Sequence, residues 1–147
     1  MTIRPLCLRL LATLLILAAV PAFAANREVT ITAPAEVKPG TGFQAVVTAS
    51  TDAGGGEQIG FLHIEYSVDG GKTWTSHCYE EKVGNSATRT VDLLAGIRGA
   101  KIIVRTRVAF RGGKAGDVDY LGGPIQWNET WEKWLSPSAR VRIIYVK

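Results

Sequence analysis

His63 and His77 are the only two histidines of the chain, and Glu65 stands two positions from the first. Facing each other across a hairpin with a carboxylate beside them, two imidazoles could hold a divalent metal. Without a third ligand or a ligand-spacing motif they fit equally a solvated face on which two histidines are neighbours. Asp117, Asp119 and Tyr120 lie in a Gly-rich segment and could exchange hydrogen bonds with a ligand. Arg105, Arg107, Arg140 and Arg142 alternate along two apolar stretches, a pattern that either attracts an acidic polymer or a partner's carboxylates, or serves as a solvated sheet face. Trp127, Trp131 and Trp134 fall at helical spacing and share one face. That face either packs inward as a lid or forms a platform for sugar rings and apolar side chains.

None of these groups completes a catalytic motif. The chain contains no Gly-x-Ser-x-Gly, no His-Glu-x-x-His and no phosphate loop. The paired carboxylates Asp117 and Asp119 have no separation fixed by sequence. The expectation is therefore a non-enzyme without cofactor, whose binding residues are Trp127, Trp131, Trp134, Asp117, Asp119 and Tyr120. The arginine face is the alternative surface, and His63 and His77 are weak metal candidates.

The elements that must position these residues begin after a leader. Arg4 and Arg9 precede an apolar run from Leu10 to Val20, and Ala22-Phe23-Ala24 supplies small residues at a cleavage site, the pattern of a secretory signal peptide. The run is too short for a spanning helix, which needs about 20 apolar residues. Cys7 lies before the run and is discarded with it. Cleavage after Ala24 leaves residues 25–147, one domain of ordinary size. It also removes two of the 17 basic residues that oppose 13 acids, so the high whole-chain pI partly reflects targeting and is poor evidence for nucleic-acid binding. Only Cys78 remains, no internal disulfide can form, and a lone cysteine in such a chain is either a small buried hydrophobe, which is the expectation, or available for an intermolecular bond or a metal.

The processed chain alternates with period two. Strands are expected at Glu28–Thr32, at GFQAVVTAS with Phe43, Ala45, Val47 and Ala49 inward, and at IGFLHIEYSV with Leu62, Ile64, Tyr66 and Val68 inward. TWTSHCYEE and TRTVDLL follow. KIIVRTRVAF then places Ile102, Val104, Val108 and Phe110 opposite Lys101, Arg105 and Arg107. RVRIIYV closes the domain with Val141, Ile143 and Tyr145 inward and Arg140 and Arg142 beside the other arginines. Between Phe110 and Arg140 runs an excursion longer than a minimal connection, in which Asn128 caps a short helix, ETWEKWL, stopped at Ser136-Pro137. Asn128-Glu129-Thr130 also spells a glycosylation acceptor, expected to be silent in a chain of bacterial character. Seven short strands separated by Gly- and Pro-bearing turns predict an all-β, immunoglobulin-like antiparallel sandwich with one short helix in the long loop. Phe43, Val47, Ile64, Tyr66, Trp74, Val104, Val108, Ile143 and Tyr145 are its expected core.

The stretch YSVDGGKTWTS carries Ser67, Asp69, Gly71, Thr73 and Trp74 at the spacing of the Asp-box of sialidase-like propellers. A propeller repeats its blade motif, and this chain has the box once, so the resemblance implies a hairpin and no glycosidase chemistry. A three-residue loop at Asp69-Gly70-Gly71 would set Trp74 opposite Tyr66, Cys78 opposite Leu62 and His63 opposite His77. From Glu65 to Thr75, EYSVDGGKTWT also resembles the hairpin of immunoglobulin-like or fibronectin-III-like domains attached to larger bacterial enzymes, such as the dimerisation domain of the sulfite oxidase family. That resemblance implies architecture only. The expectation is a periplasmic or secreted binding or assembly module that uses loop 112–138 to contact a glycan or a protein partner. The processed chain is expected to be a monomer or weak homo-oligomer with no nucleic-acid or membrane role. A structural subunit of a periplasmic enzyme complex is the alternative.

Overall fold

Period-two alternation places every second side chain on one side of a strand, and two sheets that each own an apolar side must bury them against each other. The computed structural model describes residues 25–126 and 137–147, and every regular element among them is a strand. These are β1 (Arg27–Thr32), β2 (Glu36–Val37), β3 (Gly42–Thr51), β4 (Gln58–Ser67), β5 (Thr75–Gly84), β6 (Ser86–Leu94), β7 (Lys101–Arg111) and β8 (Ala139–Val146). One sheet has the order β1-β3-β6 and the other β2-β8-β7-β4-β5. All pairs are antiparallel except β2 with β8. The result is an all-β sandwich with the strand order of an immunoglobulin-type domain. The seven expected strands are present, with the two-residue β2 in addition. The leader, the expected helix and Trp127, Trp131 and Trp134 lie outside the described residues.

The core is the space between the sheets. Ala45, Val47, Ala49 and Val91 from the smaller sheet meet Leu62, Ile64, Val104, Val108, Phe110 and Ile144 from the larger, all essentially without exposure. Phe43, Tyr66 and Cys78 pack against it half-buried. Thr106 is buried among them and donates its hydroxyl to the His63 carbonyl at 3.0 Å. A buried ion pair fixes the first strand: Arg27 donates to both Glu57 oxygens at 2.7 Å, and Thr51 donates to Oε1 at 2.7 Å. Between Gly84 and Ser86 the chain crosses from one sheet to the other through Asn85, and Arg89 clamps Glu80 across that step at 2.6 and 2.7 Å.

Three expectations are corrected. In β8 the inward residues are Ile144 and Val146, whereas Val141, Ile143 and Tyr145 are exposed. Ladder pairing of Ile103 with Ile143 and Lys101 with Tyr145 puts them on the outer side, because partners across a ladder share a face. Arg142 therefore turns inward with Ile144, and one guanidinium nitrogen reaches the Ala33 carbonyl at 2.8 Å. Arg140 pairs with Thr106 and not with an outward arginine, so Arg140 and Arg142 do not extend the Arg105–Arg107 stripe. Finally, the hairpin is wider than three residues: β4 ends at Ser67 and β5 starts at Thr75. Trp74 leaves the ladder for the outer side and is not core.

The register of β8 makes a sharp expectation. Ile144→Ala should destabilise the domain by about 2–5 kcal/mol, the range for a buried aliphatic. Ile143→Ala should cost no more than about 1 kcal/mol. Denaturant unfolding of both variants measures the difference, and equal costs would contradict the observed register.

Candidate functional site

The hairpin sets the geometry of the outer face of the larger sheet. Ser67 Oγ donates to Asp69 Oδ1 at 2.7 Å and accepts the Gly71 amide at 2.8 Å. The Asp69 carboxylate gathers the Lys72 and Thr73 amides and the Thr73 hydroxyl, at 3.0, 2.9 and 2.6 Å. Gly70 and Gly71 both take positive φ, 75° and 95°, which a side chain would resist. The bonds from Thr73, with Ser67 and Lys72 adding to them, hold the Asp69 carboxyl far below the usual carboxylate range. The Asp-box residues thus form a closed turn whose acceptors are already engaged.

The wide turn and a bulge between Ile64 and Glu65 offset β5. His63 pairs with Tyr79, Ile64 with Cys78 and Glu65 with Ser76, and His77 does not face His63. The His63 ring instead meets the Tyr79 ring edge-on at 5.6 Å, and its Nε2 lies 3.1 Å from the Ser76 hydroxyl. No group of three or more potential metal ligands exists among the described residues. Cys78 faces the core, and burial, with Glu80 adding to it, pushes its thiol above the usual value.

Glu65 is the centre of the face. Its Oε2 accepts from Arg105 Nε and from Arg107, each at 2.7 Å. Burial alone would raise this carboxyl, but the Arg105 bond, His63 and both guanidinium charges outweigh it and hold it below its ordinary 4.5. Arg105 in turn lies over the Trp74 ring, its Cζ 3.5 Å from the centroid, a cation–π stack. His63 Nδ1 lies 4.0 Å from Glu65. Burial lowers the His63 pKa below 6.5, and the two arginines reinforce this against the pull of Glu65, so the imidazole is neutral at pH 7. Ile103 packs beside Trp74, where a Cβ on Gly71 would touch both. Next to them Val141, Ile143 and Tyr145 are 50%, 37% and 45% exposed. Sequence reasoning placed Trp74, Ile143 and Tyr145 inside and so missed an aromatic, aliphatic and arginine surface.

The described part of loop 112–138 is occupied with its own structure. Asp119, 5% exposed, accepts the Leu121 and Gly123 amides at 2.9 and 2.8 Å and the Ser138 amide at 3.3 Å. Burial opposes its charge, but the Ser138 and Gly123 bonds prevail and keep its pKa low. Asp117 pairs with Arg111 at 2.9 Å, and Tyr120 packs against the core. Val118 extends the β7 ladder through Phe110. Arg111 lies across Gly60, where a Cβ would come within 2.5 Å of it, and walls a depression of about 360 Å³ with Phe61, Glu81 and Lys82.

No protein-family model and no curated protein matches this chain. Among solved structures it is similar to a superoxide reductase (neelaredoxin) from Ignicoccus hospitalis at 14% identity, over 84% of this chain and 83% of that one, with a TM-score of 0.46. It is also similar to the sporulation control protein Spo0M from Bacillus subtilis at 14% identity and a TM-score of 0.37, over 84% of this chain and 49% of that one. The chain thus spans about half the length of Spo0M. The likeness is one of β-rich fold.

The ionisable groups predict how acid acts. Glu57, Glu65 and Asp119 have lower pKa values folded than unfolded. Their stabilisation is complete above the unfolded values, near 4.5 for the glutamates, and is lost as pH falls through the folded ones. His63, also lowered, loses stability from pH 6.5 downward, because the unfolded chain takes up its proton first. His63→Gln should flatten the stability profile between pH 6.5 and 4.5 and leave the carboxylate limb intact. An unchanged slope would mean that Glu65 keeps the folded imidazole charged.

Proposed function

We infer that this chain is an exported, non-catalytic binding and assembly module that takes an acidic protein partner on the outer face of the β2-β8-β7-β4-β5 sheet. The observation that carries the reading is the joining of Arg105, stacked on Trp74, to exposed Val141, Ile143 and Tyr145. Aromatic residues and arginine are the types enriched in protein interfaces, and anchors of this kind contribute most of the binding energy. Arg105 and Arg107 share Glu65 as their one acid. The remaining positive charge favours a partner bearing carboxylates around an apolar centre. A second copy of the same face would set like charges against each other. The secretion-type leader supports an exported location, and the EYSVDGGKTWT hairpin supports an accessory role beside a larger enzyme. A non-catalytic reading fits the ionisable groups, since Glu57, Glu65 and Asp119 are held ionised by structural partners.

Immobilised protein challenged with periplasmic extract and, separately, with a polysaccharide panel tests this reading. A retained protein should be released by salt, as contacts screened over about 8–10 Å require. Ile143→Glu should abolish retention with little change in melting temperature, and Arg105→Gln should weaken it, with the melting temperature measured alongside because Glu65 loses one of its two partners. Retention of a polysaccharide that ignores both substitutions would transfer binding to loop 112–138 and overturn the proposed face.

A further inference from the structure

Three loops and the end of β8 meet at the end of the sandwich opposite loop 112–138. The turn at Lys38–Thr41 joins the segment after β6 through the Gly40 amide and the Ala95 carbonyl, 2.9 Å apart. That segment closes on itself from the Ala100 amide to the Ile97 carbonyl at 3.1 Å, and the Gly99 amide ties it to Val146 at 2.8 Å. The hairpin joins them where the Gly70 amide donates to the Lys101 carbonyl at 3.0 Å. This end carries two of the three most exposed large aliphatics among the described residues: Ile97 at 81% and Leu94 at 67%. A Cβ added at Gly40, Gly70, Gly96 or Gly99 would meet nothing within 4 Å. These loops therefore project into open space and do not line a groove.

The charge at this end is predominantly positive. Lys38, Lys72, Arg98 and Lys101 belong to the same loops, and among the described residues no ion pair engages them. Glu36 is paired with Lys147, Asp69 is engaged by its own turn, and Asp92, two residues before Leu94, accepts from the Gln44 amide at 2.8 Å, so the four cations outnumber the two acids that have no cationic partner. Protruding aliphatic side chains ringed by lysine and arginine match a surface that is apolar within and anionic at its boundary.

We propose that this end of the domain docks on an anionic lipid surface, with Leu94 and Ile97 entering the headgroup layer and the four basic side chains facing lipid phosphates. An acidic protein would select flat or concave contact with oriented arginines and aromatic anchors. Projecting aliphatics and flexible lysines, which keep their ammonium groups at the boundary while their stems pack below, suit a fluid surface of no fixed geometry. The inference is independent of the partner face, because neither Leu94 nor Ile97 belongs to that sheet. It departs from the sequence expectation of no membrane role, because the residues come from separate turns that only the fold brings together.

Co-sedimentation of the protein recovered from an exporting host tests it, using vesicles of phosphatidylcholine alone or mixed with phosphatidylglycerol. Binding should require phosphatidylglycerol and weaken with salt. The double variant L94S/I97S should bind at least roughly tenfold more weakly, given the transfer energy of each buried methylene. R98Q/K101Q should lose roughly 25-fold, about fivefold for each cation near such a surface. Leu94 and Lys101 are at exposed strand ends and Ile97 and Arg98 lie between them, so melting temperatures should be unchanged, and K114Q, exposed in the loop at the opposite end, should sediment like the unmodified protein. Equal binding to neutral vesicles, retained binding by L94S/I97S, or capture by polyglutamate without capture by vesicles would overturn the proposal, the last in favour of an acidic polypeptide.

Discussion

The Asp69 carboxylate is the constraint on which the outer face depends. By accepting two amides and a hydroxyl from Lys72 and Thr73 it draws the chain into a turn wider than a tight hairpin. The width delays β5, and the bulge beside Glu65 carries the offset along the ladder. Trp74 then stands outside the ladder, beneath Arg105, and Tyr79 stands across from His63. A two-residue turn in the same place would have given other neighbours to every residue from Trp74 to Glu81. The exposed carboxylate thus acts through geometry, by fixing which side chains meet.

Glu65 has the complementary role within the face. Two arginines on neighbouring positions of β7 would repel each other and sample many rotamers. One half-buried carboxylate joins both at 2.7 Å and fixes them. Arg105, so fixed, can keep its guanidinium plane over Trp74 while its remaining donors face solvent. The same order that lowers the Glu65 pKa therefore preorganises a contact surface, which lowers the entropy lost when a partner arrives. On the other side of the sheet the requirement is simpler, since the core from Ala45 to Ile144 needs only apolar side chains that interlock, most of them small or branched, with Phe110 the largest.

The inner alternation of β3, β4 and β7 was legible because each has a single apolar face, and the structure buries Val47, Ile64, Val104 and Val108 as that pattern requires. β8 was not legible. Its apolar run Ile143-Ile144-Tyr145-Val146 fits either face, and the charges of Arg140 and Arg142 argue for the wrong one. The correct choice depends on the Ala33 carbonyl, which gives Arg142 a partner on the inner side and is remote in sequence. The hairpin failed for a related reason. Asp-Gly-Gly signals a turn, but its width depends on how many amides Asp69 collects, and spacing alone does not count them. The outer face and the basic end were hidden because each is assembled from strands and turns that only the folded chain brings together.

The two proposed surfaces constrain each other through strand direction. Leu94 and Ile97 lie where β6 ends and β7 has yet to begin, whereas the Glu65 cluster lies part-way along β4 and β7. With the loop end on lipid, the strands rise from the bilayer at about 3.3 Å per residue. Arg105 is four residues beyond Lys101 on β7, so the Arg105–Trp74 stack would stand roughly 13 Å above the charged loops. That height exceeds the screening length of about 8 Å at physiological ionic strength. The lipid charge would therefore leave the arginine face largely free to attract carboxylates, and the face would look along the membrane toward a partner held at the same surface.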